Sequence, residues 1–219
     1  VAGSATIGGP GELVETLTGE PVHVVDRSGA PTSTRQVLML EPETISPYTV
    51  ATHVVARCVE ADHKTIAFTK ARRITELMHR WLVQGFPELA SRVTSYRAGY
   101  LPEERRDIER RLFEGRLDGV ISTSALEAGI DVGGLDVCVL VGYPGSLATS
   151  WQRIGRAGRG SRDSLAVLVA LPDALDRYVV HHPEHFFSGA FERVALDPHN
   201  DVIADAHMGA AAAEMSLDV

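Results

Sequence analysis

Along the middle of the chain, short apolar runs alternate with longer stretches in which apolar residues recur at helical spacing. The runs are "KTIAFTK" (64–70), "DGVISTS" (118–124), "LDVCVLVGYP" (135–144) and "SLAVLVALP" from Ser164, with the more mixed "RVTSYRA" from Arg92. Apolar runs too short for a helix and lacking a polar alternate predict strands buried on both faces. Between them, residues 45–61 begin with Ser46-Pro47, a pairing that suits an N-cap and first turn, and continue at helical spacing. Residues 71–86 place Ile74, Leu77, Met78, Trp81 and Leu82 on one helical face. "LPEERRDIERRLFEG" reads as a helix with Pro102 in its first turn and Gly115 as its stop, and 147–158 as a further helix. Strands alternating with helices predict an α/β fold, a parallel sheet with helices on both faces. Ligands of such sheets bind at the carboxyl ends of the strands. The stretches "FTKAR", "YRAGY", "STSALEAGID" and "YPGS" all follow strands.

The composition, 44% apolar and 23% charged over 219 residues, is that of an ordinary globular protein. Cys58 and Cys138 lie in apolar segments with no CxxC pair, which points to a reduced, cytoplasmic protein without a disulfide framework. No apolar run approaches the roughly 18 residues that span a bilayer, so no membrane partner is expected. The N-terminal "VAGSATIGGPGE" lacks the layout of a signal peptide. A net charge of −8 excludes a histone-like, charge-driven nucleic-acid binder and leaves room for one that uses a few local contacts. Residues 92–116 nonetheless hold seven arginines against five acids. A solvated helix laced with charge pairs accounts for 102–114, but not for Arg97, which precedes a Gly-Tyr loop. His181, His182 and His185 lie close together, yet with no cysteine nearby and Pro183 among them they read as surface and helix-end histidines, and no metal is expected.

Two stretches offer chemistry. "WQRIGRAGRG" (151–160) sets Arg153, Arg156 and Arg159 three residues apart, with glycines leaving room around them. Arginine's planar fork donates two parallel hydrogen bonds to phosphate oxygens; the plainer reading is a basic loop in water. "STSALEAGIDVGGLDVCVL" (122–140) offers Thr123 as a donor to a nucleic-acid phosphate and Asp131 as an acceptor from a ribose hydroxyl. Turn chemistry alone also explains Ser, Gly and Asp there. Their order and spacing together favour function.

That order resembles the second RecA-like lobe of a superfamily 2 helicase. "TIAFTKAR" is similar to motif IV of that superfamily, "YRAGYLPEERRDIE" to motif IVa, "VISTSALEAGIDVGGLDVCVL" to motif V and "SWQRIGRAGR" to motif VI. The last has the Gln-Arg-x-Gly-Arg form, where DEAD-box RNA helicases have His-Arg. Ser4-Ala5-Thr6 resembles motif III, at the end of a first lobe. Neither GxxxxGK[ST] nor a DEAD or DEAH box occurs in the chain. The resemblance therefore implies that the phosphate cradle and Mg²⁺ carboxylates lie in a first lobe outside this sequence, and that these residues alone are inactive.

Within the superfamily, "ALEAGIDVGGLD" and the tail "RYVVHHPEHFF…DPHNDVIADAHMGAAAAE" look most like the bacterial MrfA/SftH DNA helicases, which are RecQ-related and carry a cysteine-rich C-terminal domain. Arg97 stands where many members have His, a departure this group accommodates. The resemblance implies three segments: 1–30 as the end of the first lobe (a helix and a strand without a core of their own), 31–188 as the second lobe and 189–219 as the start of a C-terminal region. It implies an ATP-dependent, 3′→5′ DNA helicase of DNA repair, associated with the bacterial nucleoid. Arg156 and Arg159 would act as arginine fingers and Gln152 as a γ-phosphate sensor, with Gly129 and Asp131 completing the ATP site and Asp131 on the ribose. Thr69, Arg72, Arg97, Gly99 and Thr123 would contact single-stranded DNA. The alternatives are an RNA helicase of the same superfamily and a RecA-like module that binds nucleic acid or a partner without hydrolysis.

Overall fold

β-Branched and apolar residues occupy every position of Val137–Val141, and they divide by parity: Val137, Val139 and Val141 enter one hydrophobic cluster, Cys138 and Leu140 another. Successive side chains of a strand point to opposite faces, so this strand is covered on both sides. The computed structural model describes residues 3–4, 6–27, 29, 33–126, 134–158, 163–197 and 199–215. In chain order the elements are α1 (Pro10–Thr18), β1 (Arg35–Leu40), α2 (Pro47–Glu60), β2 (Thr65–Phe68), α3 (Arg72–Gly85), β3 (Val93–Tyr96), α4 (Pro102–Phe113), β4 (Gly119–Ser122), β5 (Val137–Val141), α5 (Leu147–Ile154), β6 (Ser164–Val169), α6 (Ala174–His181), α7 (Pro183–Ser188) and α8 (Asp201–Glu214). They fall into two units, Gly29–Ala190 and a smaller one made of Val1–Ser28 with Phe191–Val219.

The larger unit is a six-stranded sheet in the order β1-β6-β5-β2-β4-β3, and every pairing is parallel. Thr65 pairs with Gly119 on one side and Val137 on the other, so β2 sits at the centre. α2 and α3 cover one face through Val55, Val59, Met78 and Leu82. α4 to α7 cover the other through Ile108, Leu112, Leu147, Ile154, Val179 and Phe186. This is the RecA-like architecture implied above.

Four local expectations change. β1 was not anticipated: it begins with the polar pair Arg35-Gln36 and forms a half-exposed edge beside β6, so it lacks the apolar run that marks the inner strands. α5 stops at Ile154, short of Ala157-Gly158: the next bonds tighten to three-residue spacing, Arg156 N–H to the Arg153 carbonyl and Ala157 N–H to the Ile154 carbonyl, and the chain leaves the helical region at Gly158, φ +75°. Ser46 starts α2 without a side-chain capping bond, and its carbonyl accepts from Val50 N–H. Trp81 is 39% exposed, while the polar Thr75 is buried beside Met78 and Leu82, so the inward stripe of α3 is narrower than its apolar residues suggest.

In the smaller unit Gly8 forms a parallel bridge with Arg193, and Arg193 Nη1 lies 2.6 Å from Glu12 Oε2. Residues 1–30 contain α1 but, among the described residues, not the expected strand, and no described residue of this unit is buried. No helix of the described residues is long and apolar enough to cross a membrane.

Met78 is fully buried and Trp81 lies at the rim. Met78→Ala is expected to cost about 2–5 kcal/mol of stability, and Trp81→Ala clearly less despite removing the larger side chain. Urea unfolding of both variants checks this; a larger loss at Trp81 would contradict the packing of α3.

Candidate functional site

The central strands end together. β2 runs out at Phe68 and β4 at Ser122, and Thr69 N–H donates to the Ser122 carbonyl at 2.8 Å, extending the ladder by one residue. Beyond them opens a cleft of about 260 Å³ lined by Thr69, Lys70, Thr123, Ser124, Pro144 and Arg153. It lies outside the carboxyl ends of β2, β4 and β5, where open α/β sheets bind ligands. Thr69 is 2% exposed, with its hydroxyl 2.7 Å from Thr75 Oγ1 and 3.2 Å from the Ala71 carbonyl. Those contacts make it a support for the start of α3 more than an open donor. Thr123 Oγ1 accepts from Ala125 N–H at 3.4 Å, an arrangement compatible with its O–H donating elsewhere.

Beside the cleft, at the end of β3, Glu76 gathers a second group. Its carboxylate accepts from Arg97 Nε at 2.8 Å, Tyr100 Oη at 2.6 Å and Ser95 Oγ at 3.2 Å. The Arg97 guanidinium lies 4.7 Å from the Tyr100 ring centre. A Cβ on Gly99 would meet Arg97 Nη1, the mobile end of a side chain, and stand at an ordinary 3.9 Å from Arg72 Nη1, so both arginines lie on the surface around this glycine. Burial pushes the Glu76 carboxyl up, but the three donors and the Arg97 charge outweigh it and hold the group below its usual range. Burial and the neighbouring Glu76 raise the Tyr100 phenol.

A fully buried carboxylate forms the floor behind these loops. Asp176 Oδ2 accepts from Tyr143 N–H at 3.0 Å and Leu171 N–H at 2.7 Å, and Asp176 Oδ1 lies 3.1 Å from Lys70 Nζ. Asp173 caps α6 by accepting from Asp176 N–H at 2.9 Å, a bond that, with Lys70, holds its own carboxyl low. One side chain thus ties the loops that follow β2, β5 and β6.

α5 leaves the β5 loop with Ser146 as its cap, accepting from Thr149 N–H at 3.0 Å. Arg153 is 9% exposed, its guanidinium 5.2 Å from the Phe68 ring centre. Gln152 and Arg156 are half-buried on the same helix and the turn after it. That turn is pinned by its backbone: Gly158 N–H donates to the Leu135 carbonyl at 2.9 Å, and Arg35 Nη2 to the Ala157 carbonyl at 3.2 Å. A side chain on Gly158 would strain φ and strike Ser164. The glycine therefore serves close packing against Ser164 within this lobe as well as leaving room around the arginines.

Thr69 and Thr123 share the cleft, Arg72, Arg97 and Gly99 share the neighbouring surface, and Gln152 and Arg156 sit on α5 and its turn. Gly129, Asp131 and Arg159 lie outside the described residues, as does Ala5 of the Ser-Ala-Thr stretch. Sequence reasoning missed Glu76, Asp176 and the cleft position of Lys70. Lys70 was within reach, since it follows Thr69 at a strand end. His181 Nε2 lies 2.6 Å from Glu41 Oε2 and His182 Nδ1 3.2 Å from Glu184 Oε1. Among the described residues no three His, Cys, Asp or Glu side chains gather as a metal site requires.

Because the folded Glu76 carboxyl is depressed, its stabilisation is present above the unfolded value of about 4.3 and fades as pH falls through the lower folded value. Glu76→Gln is expected to be less stable than the parent at neutral pH, with the gap closing under acid. Unfolding curves across this range check it; a gap that stays constant would show that the Glu76 charge contributes nothing.

With this geometry in place, comparison with known proteins is specific. Residues 48–161 match the family model of the helicase conserved C-terminal domain. An uncharacterized ATP-dependent helicase, YprA of Bacillus subtilis (strain 168), is 40% identical over 97% of this chain and 30% of its own length. The structure of the DUF1998 helicase MrfA bound to DNA and AMPPNP superposes with a TM-score of 0.87 at 39% identity, over 97% of this chain and 31% of that one. Mycobacterium smegmatis Lhr, bound to single-stranded DNA and AMP-PNP, gives 0.78 at 26% identity, over 98% of this chain and 29% of that one. The chain thus spans about a third of these relatives. Its motifs, its strand order and these matches agree, and the chain belongs to the helicase conserved C-terminal domain family, as the second RecA-like lobe of a superfamily 2 helicase.

Proposed function

We propose that the chain is the part of an ATP-dependent superfamily 2 DNA helicase that grips single-stranded DNA and supplies arginines to the nucleotide. The observation that carries the reading is the strand-end cleft, where hydroxyl and cationic side chains from the ends of β2 and β4 converge with Arg153 of α5, the helix that bears Gln152 and leads into the turn bearing Arg156. Strand contacts are assigned to Thr123, Arg97 and Arg72, with Gly99 on the same surface and Thr69 supporting the loop. Directed at phosphates, they carry no sequence preference. The MrfA and Lhr structures that resemble this lobe hold DNA, which with Gln152 in place of His favours DNA over RNA.

Bound ATP supplies the phosphoryl group whose transfer to water drives stepping. The donors of α5 and its turn suit that ligand: Gln152 is assigned as a γ-phosphate sensor and Arg156 as a two-pronged donor to the charge that develops on the γ-phosphate; by resemblance Arg159 is a second such donor, Gly129 a further residue of the ATP site and Asp131 the contact to the ribose. The phosphate cradle and Mg²⁺ ligands are assigned to a first lobe of the same polypeptide, which also takes residues 1–30 as its end. Residues 31–188 then form the second lobe and 189–219 the start of a C-terminal region. By likeness to the MrfA/SftH group we assign 3′→5′ movement, a role in DNA repair and a cytoplasmic, nucleoid-associated location.

In the full-length protein, Arg156→Ala and Arg159→Ala are each expected to cut hydrolysis by about two orders of magnitude or more, with ATP binding changed far less. Arg156→Lys should recover little, because it keeps the charge and loses the fork. Steady-state ATPase with parallel nucleotide titrations checks this, and near-normal kcat in both alanine variants would sink the finger assignment.

A further inference from the structure

The loop that leads from β5 into α5 has little stiffness of its own. Gly142 N–H is still on the sheet ladder, donating to the Val169 carbonyl at 2.9 Å, and four residues later Ser146 caps the helix. Gly142 and Gly145 take φ +85° and +102°, a region that glycine enters and leaves freely. α6 and α7 reach this segment at its start and at its middle. Asp176 Oδ2 accepts from Tyr143 N–H at 3.0 Å, and Trp151 Nε1 donates to the Phe186 carbonyl at 3.3 Å. A helix held at one point pivots about it, and a second point fixes its direction. α5 is only about 12 Å long, so a shift at Tyr143 carries through to the turn that bears Arg156.

Asp176 suits that task. It is wholly buried, and the same oxygen accepts from Leu171 N–H at 2.7 Å, beyond β6. Its other oxygen faces Lys70 Nζ at 3.1 Å, and its own N–H is held by the Asp173 carboxylate. A carboxylate pinned from these directions does not swing with the loop it holds. Packing alone would be served as well by an apolar side chain, since a buried ion pair often adds nothing to stability. An apolar side chain cannot fix a backbone N–H.

We infer that Asp176 is a positioning residue for ATP hydrolysis: by fixing the backbone at Tyr143 it sets the direction of α5, and so the placement of Gln152 and Arg156 at the nucleotide. It acts through those residues and touches neither ATP nor DNA. The inference rests on the reading above that α5 and its turn face the nucleotide.

In the full-length helicase, kcat and KM for ATP are measured with saturating oligothymidine, and oligothymidine affinity is measured separately. Asp176→Ala is expected to lower kcat about 10- to 100-fold, the penalty of a misplacement on the order of 1 Å, while KM for ATP and strand affinity change far less. Asp176→Asn keeps an oxygen for both backbone donors and recovers most of the loss, although Lys70, 41% exposed, is released to water. Leu89→Ala empties a buried site in the turn before β3, at the opposite end of the sheet. It is destabilised as well and keeps the parental kcat. If Asp176→Ala does not fold, Asp176→Glu stands in for it: the longer side chain keeps the charge, displaces the acceptor and lowers kcat.

Parental kcat in folded Asp176→Ala, or in Asp176→Glu in its place, overturns the inference. So does Asp176→Asn with no recovery, or an equal loss in Leu89→Ala, which would make the effect one of stability. A loss of strand affinity with kcat intact would tie Asp176 to the Lys70 loop alone and overturn it too. Arg156→Ala separates the readings. If it cuts hydrolysis and the Asp176 variants do not, the inference fails alone; if neither does, the assignment of α5 to the nucleotide fails with it.

Discussion

The carboxylate of Asp176 is the constraint on which the functional edge of this lobe depends. A charge with no exposed surface is tolerated only when its partners are in place, and removing a partner from such a site typically costs 3–5 kcal/mol. Its partners are a lysine beyond β2 and backbone donors beyond β5 and β6. Three loops that share no sequence neighbourhood must therefore close together or not at all. Tyr143, one of the donors, lies three residues before Ser146, the cap of α5. The helix that carries Gln152, with the turn that carries Arg156, hangs from the same point as the loop that carries Lys70.

Burial on both sheet faces explains why so much of the fold was legible. The inner strands could be placed because a strand covered twice is dominated by apolar residues, as Val137–Val141 is throughout and Thr65–Phe68 is after its buried Thr65. β1 escaped because an edge strand needs only one face, and Arg35-Gln36 breaks its run. α5 was drawn too long because helical spacing continues through Ala157, while the Gly158 N–H bond to the Leu135 carbonyl and the Arg35 guanidinium bond to the Ala157 carbonyl hold the turn in another shape.

The site was legible where function sits on local pattern. Thr123 and Arg97 follow strands, and that placement alone marks them. Asp176 carries no local mark: "PDALD" announces Asp173 as a helix cap, and the bond from Asp176 to Lys70 spans 106 residues. The three evenly spaced arginines show the converse. Their spacing looks uniform, yet Arg153 is buried against Phe68 while Arg156 is only half-buried on the turn. Even spacing in the sequence does not separate the two; burial does.

The pairing of Gly8 with Arg193 has a consequence for the order of assembly. The two segments of the smaller unit are separated along the chain by residues 29–190. Joining them across an unfolded spacer of that length carries a chain-closure entropy on the order of 4–5 kcal/mol, set against contacts that include a bridge, a backbone hydrogen bond from Gly8 to Glu192 and an exposed ion pair, with no buried residue among those described. Once the intervening sheet has collapsed, the spacer no longer behaves as a random coil and most of that entropy has already been lost. The two segments of the small unit thus join at far lower entropic cost once the residues between them along the chain have folded, which places their pairing late in assembly.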